Sequence, residues 1–120
     1  MVHVEVQRVG ALGRVRADCG AIRGIIITGH AGDAAAGENI VCAAVSVTAY
    51  TAAGALNGLC GTPYDCAEER GGFFKLTVPD FDDGDKAYRA EIIMETAFIG
   101  FKQIELTYGK FIRVSEKTIN

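Results

Sequence analysis

Valines alternate with polar residues at the start of the chain. Val2, Val4 and Val6, continued by Val9, are separated by His3, Glu5 and Gln7. A period of two marks a half-buried strand, with His3 on its polar side. Gly10-Ala11-Leu12-Gly13 breaks the alternation, and residues 14–20 read either as an extended hairpin or as a longer loop. Ile22 to Thr28 forms a second strand, apolar enough at Ile25-Ile26-Ile27 to lose clean alternation, and it ends at Gly29. The period then lengthens. Val41, Val45, Ala49, Ala52, Leu56 and Leu59 recur at steps of three and four, predicting a helix from about Ile40 to Leu59 with one apolar stripe.

Gly58 to Pro63 ends that helix. Strands near Tyr64–Arg70 and Phe73–Val78 follow, turning at Gly71-Gly72, a pair suited to positive φ. The acidic run Asp80 to Asp85 lacks the ligand alternation and closing Glu of a calcium loop, and reads as carboxylates at a helix start. The second helix, roughly Asp85 to Leu106, buries Ala87, Ala90, Met94, Ala97, Phe98, Phe101 and Ile104, with Lys86, Arg89, Glu95, Lys102 and Glu105 outside. Phe111 to Val114 reads as a last short strand and Ser115 to Asn120 as a frayed tail. The order β-β-α-β-β-α-β predicts an α+β two-layer sandwich: a largely antiparallel sheet of four to five strands carrying two helices.

At 120 residues the chain is one domain, residues 1–120, with a modest core. A net charge of −3 and no basic stripe argue against direct nucleic-acid binding. No run of about 18 apolar residues predicts a membrane span, and Met1 to Glu5 lack the features of a signal peptide, so a cytoplasmic location is expected. Cys19, Cys42, Cys60 and Cys66 show neither a Cys-x-x-Cys pair nor zinc-site spacing. No metal and no cofactor is expected.

The candidate chemistry lies in Gly29 to Ser46, GHAGDAAAGENIVCAAVS. His30 follows the second strand, and a loop of small residues containing Asp33 leads to Asn39, which reads as a helix N-cap. Cys42 then falls at the third helical position, where free amides and the helix dipole favour a thiolate. It lies at the margin of the apolar stripe, packed on one side and reachable on the other, with Ser46 one turn above it. A plainer reading stands beside this one: Cys42 as a core thiol among Ile40, Val41, Ala43 and Ala44, and His30 as a turn residue.

Gly29-His30-Ala31, a glycine-containing loop and Ile40-Val41-Cys42-Ala43-Ala44-Val45-Ser46 resemble the bacterial ribosomal-processing cysteine protease (Prp) family. The likeness is dense over these 18 residues and consistent in element order along most of the chain. It implies a cysteine endopeptidase with Cys42 as nucleophile and His30 as general base and acid, supported by Gly29, Asp33, Asn39 and Ser46. It also implies a peptide substrate, the N-terminal extension of large-subunit ribosomal protein twenty-seven, and a homodimer. Asn39 stands where the family commonly has Asp; it caps as well but brings no negative charge. Backbone amides at the first helix start, that of Cys42 included, are the expected oxyanion donors, and the Gly32–Gly37 loop is expected to open and close over the peptide. Two other classes remain open: a non-catalytic ribosome-assembly or ribosome-binding module, and a thiol redox sensor in which Cys19, Cys60 or Cys66 resolves an oxidised Cys42.

Overall fold

A computed structural model of the chain describes residues 1–29, 36–61, 65–69 and 72–119, with 36–38 and 65–69 described as backbone. Seven elements follow in the expected order: β1 Val2–Val9, β2 Ile22–Thr28, α1 Ala36–Cys60, β3 Asp65–Glu69, β4 Phe73–Thr77, α2 Gly84–Tyr108 and β5 Ile112–Ile119. They build a five-stranded sheet in the order β3-β4-β2-β1-β5. The β1–β2, β2–β4 and β3–β4 pairs are antiparallel, whereas β5 runs parallel to β1. The α+β sandwich therefore stands, with a mixed sheet closed by one parallel edge.

Alternation along β1 sends Val2, Val4 and Val6 inward and leaves His3 exposed. In β2, Ile25 and Ile27 are buried and Ile26 is only half-buried, so its triple isoleucine still alternates. Phe74 and Leu76 of β4 join the same core. Against them α1 sets Val41, Val45, Ala49, Ala52 and Leu56, while α2 sets Ala90, Met94, Ala97, Phe98 and Phe101. Asp83 starts α2, its carboxylate accepting from the amides of Asp85 at 2.8 Å and Lys86 at 3.2 Å. This is the N-terminal capping that the acidic run foreshadows.

Four expectations need correction. Leu59 is exposed, and Cys60 is buried in its place with its thiol 3.7 Å from the Lys86 carbonyl. Beyond Leu56 the 3.6-residue period puts the fourth residue inward, not the third. The tail after Val114 is not frayed: β5 continues to Ile119, paired residue by residue with β1 through Val9↔Ile119. Backbone pairing on an open edge needs no apolar side chains, so a polar strand forms there. Glu95 is not outside but buried. Its carboxylate pairs with Arg8, the inward position that follows Val6, which also donates to Glu116 at 2.7 Å and to the Gly20 carbonyl at 2.9 Å. The fourth correction, the start of α1, bears on the site.

Candidate active site

Gly29 closes β2 in a conformation that few other residues could adopt. Its φ is +87°, and a Cβ at this position would lie 2.0 Å from the Met1 carbonyl oxygen. The left-handed region and the close approach of the β1 backbone each require glycine. What Gly29 contributes is backbone geometry at the end of β2, directly before His30 in the sequence. His30 and Asp33 lie outside the described residues, as does most of the Gly32–Gly37 loop.

Asn39 does not cap the helix. α1 begins at Ala36, so Asn39 is the fourth helical residue and is exposed, and Cys42 is the seventh. Ala and Glu are good helix formers, and the helix propagates back through Ala36-Gly37-Glu38 instead of stopping at the first side chain able to cap it. Two consequences follow. The Cys42 amide lies within the i→i−4 ladder and is not a free oxyanion donor. The dipole fades within the first turn, so its pull on a charge at Cys42 is weak.

Cys42 is half-buried and packs against the core cluster. It sits at the stripe margin, as the 100° step from Val41 predicts. On a 3.6-residue helix, Cys42, Ser46 and Tyr50 succeed one another along one flank. Ser46 is half-buried and Tyr50 half-exposed. The Tyr50 ring meets Phe74 of β4 edge to face, with centroids 5.8 Å apart and planes at 80°. The other flank of α1 packs on α2, where a Cβ on Gly100 would lie 3.2 Å from the Thr48 methyl. One flank thus carries the thiol and the other holds the helix pair together. The period of Cys42, Ser46 and Tyr50 was available in the sequence, but only the contact with Phe74 singles out Tyr50.

The other described thiols, Cys19 and Cys60, are held toward the neutral form. Burial pushes the pKa of Cys60 up, against the weaker pull of Arg89 and Lys86. Burial likewise raises that of Cys19, more than Arg8 and Arg16 lower it. The Cys66 side chain lies outside the described residues.

The family model for cysteine protease Prp matches residues 13–113. The chain belongs to the Prp family. A ribosomal processing cysteine protease Prp of Bacillus subtilis (strain 168) is 31% identical over 94 residues, 78% of this chain and 84% of the relative. The Staphylococcus aureus Prp crystallised with a covalently linked product peptide superposes with a TM-score of 0.74 at 25% identity, covering 98% of this chain and all of that one. The same S. aureus protease with a substrate peptide has a TM-score of 0.77 at 24% identity and equal coverage, a likeness of fold. As a Prp family member this chain is a cysteine protease, and both expectations from the resemblance, family and enzyme class, hold.

Proposed function

We propose that the protein is a cytoplasmic cysteine endopeptidase that removes the N-terminal extension of large-subunit ribosomal protein twenty-seven, with Cys42 as nucleophile and His30 as base and acid. The observation that carries this reading is the placement of Cys42, which packs on the core from one side and lies on the flank of α1 away from α2. The names of the B. subtilis and S. aureus relatives support the ribosomal substrate.

In this reading the Cys42 thiolate adds to the scissile carbonyl carbon and the carbonyl electrons move onto oxygen. Collapse of the adduct breaks the C–N bond as His30 gives its proton to the leaving amine, and a thioester remains. His30 then takes a proton from water, whose oxygen displaces the thiol and frees the acid. Because α1 starts at Ala36, the thiolate depends on the histidinium of His30 far more than on the helix end.

A homodimer is part of the proposal. The outer face of the helix pair has an apolar groove of about 440 Å³ lined by Val47, Thr51, Ala55, Leu59, Ile92 and Thr96. Each helix has 25 residues, hence a length of about 37 Å. Two such helices about 9 Å apart, each about 10 Å across, present a face of roughly 700 Å², near the ~800 Å² per partner of a stable interface. A second copy offers the same apolar face, so a two-fold contact is self-complementary.

The test is incubation with the extended ribosomal protein from the same genome. A shortened product should form with the wild type and not with Cys42→Ala; an unchanged substrate in both would sink the protease assignment. Sedimentation should show a dimer that Val47→Glu converts to monomer.

A further inference from the structure

We propose that Tyr50, backed by Phe74, forms a specificity subsite that takes an apolar or aromatic side chain of the peptide substrate, three or four residues from the scissile bond. This rests on the protease reading of Cys42 and deepens it.

Three observations converge. Tyr50 is 50% exposed, while the Phe74 ring that meets its edge is 5% exposed. An aromatic side chain held by a buried ring, with half its surface open, is a pre-organised apolar contact. Tyr50 also lies two turns beyond Cys42 on the same flank of α1. Eight residues of helix advance about 12 Å at 1.5 Å per residue, and an extended peptide covers that distance in three to four residues at about 3.3 Å each. A peptide bound by its carbonyl at Cys42 and laid along this flank brings its third or fourth neighbour over Tyr50. The α1 side of the wall between the two is uncharged, since Asn39 to Cys60 contains no Asp, Glu, Lys or Arg. On that helix surface a charged side chain would lose water and meet no counter-charge, whereas an apolar one loses nothing by desolvation. The flank faces away from the α2 contact at Thr48 and Gly100, so the subsite is separate from the groove assigned to the second copy.

The experiment uses ten-residue peptides spanning the cleavage junction, each position replaced by Ala in turn. They are cleaved by wild type, Tyr50→Phe and Tyr50→Ala, and their binding to a Cys42→Ala background is measured by fluorescence anisotropy. One position, three or four residues from the bond, should lose roughly 10-fold in kcat/KM on wild type, chiefly through KM. The same peptide should lose little more on Tyr50→Ala, and Tyr50→Phe should behave as wild type. The iodoacetamide reactivity of Cys42 should be equal in all three proteins. An equal loss for every peptide on Tyr50→Ala, additive effects of the two changes, or a shift in oligomeric state would overturn the subsite. Peptide binding that depends on Tyr50 without any cleavage by wild type would sink the protease reading and keep the subsite; cleavage indifferent to Tyr50 would do the reverse.

Discussion

The two helices have the same length and lie on the same sheet, but they are built from different residues. α2 buries Met94, Phe98 and Phe101, is capped by Asp83 and distributes Lys86, Arg89, Glu91, Lys102 and Glu105 over its remaining surface. Among its described side chains α1 buries only Val, Ala, Leu and Cys, and it carries no charge from Asn39 to Cys60. An 18-residue window within them has a mean hydropathy of 1.5, so the segment is long and apolar enough by composition to cross a bilayer. In the fold their inner stripe covers the sheet and the rest of their surface is an uncharged wall beside the thiol. Large aromatic side chains anchor α2. Small ones let α1 lie close to its neighbours and leave the surface on which the peptide and the second copy are proposed to bind. α2 carries the large buried side chains, and α1 carries the proposed nucleophile, Cys42.

Substitutions can break or sharpen this contrast. The largest effect belongs to the chemistry. His30→Ala should lower turnover by roughly 10⁴-fold or more while the unfolding midpoint moves little. The same variant should level the iodoacetamide reactivity of Cys42 with that of Cys19 at pH 6.5, since the helix end contributes little at the seventh residue. Retained selectivity would show that α1 alone activates the thiol.

Next comes the α2 core. Phe101 is fully buried, so Phe101→Ala should cost about 3–5 kcal/mol in a denaturant titration and leave turnover per folded molecule unchanged. A large fall in turnover with the fold intact would mean that α2 also serves the chemistry. The buried ion pair ranks close behind. Burial works against the charge of Arg8, yet the hydrogen bonds it donates to Glu95 and Glu116 hold its pKa above the ordinary arginine value. Glu95→Ala leaves that buried charge with Glu116 as its remaining carboxylate and should cost about 3 kcal/mol. Arg8→Met with Glu95→Leu should recover most of the loss; no recovery would assign the cost to packing alone.

The smallest effect is at the cap. Backbone amides of Lys86 and Asp85 hold the Asp83 carboxyl below the usual carboxylate range. A folded pKa below the unfolded one stabilises the protein above the unfolded value, about 3.9, and that stability is lost as pH falls through the folded value. Thermal melts should therefore favour wild type over Asp83→Ala at pH 7, and the gap should close in acid below about pH 4. A gap that persists there would mean that the cap does not act through its charge.

Local spacing was enough for much of this molecule. The alternation of β1, the three-and-four steps of α1 and α2, and the antiparallel pair of β3 and β4 are consequences of side-chain pattern along short stretches of chain, and the element order follows from them. The margin position of Cys42 follows in the same way from a 100° step. What spacing cannot reach is a partner far away in the chain. Glu95 reads as a surface residue until Arg8 arrives from β1, 87 positions earlier, and makes its burial affordable in free energy. Residues 115–119 read as a tail until the open edge of β1 supplies backbone partners for them. Tyr50 is one more half-exposed side chain until Phe74 of β4 fixes its ring. The start of α1 is a local matter decided by a narrow competition, since capping at Asn39 and propagation from Ala36 differ by about 1 kcal/mol or less. Periodicity is written into the chain residue by residue, whereas burial of charge, edge pairing and ring contacts exist only once distant segments meet.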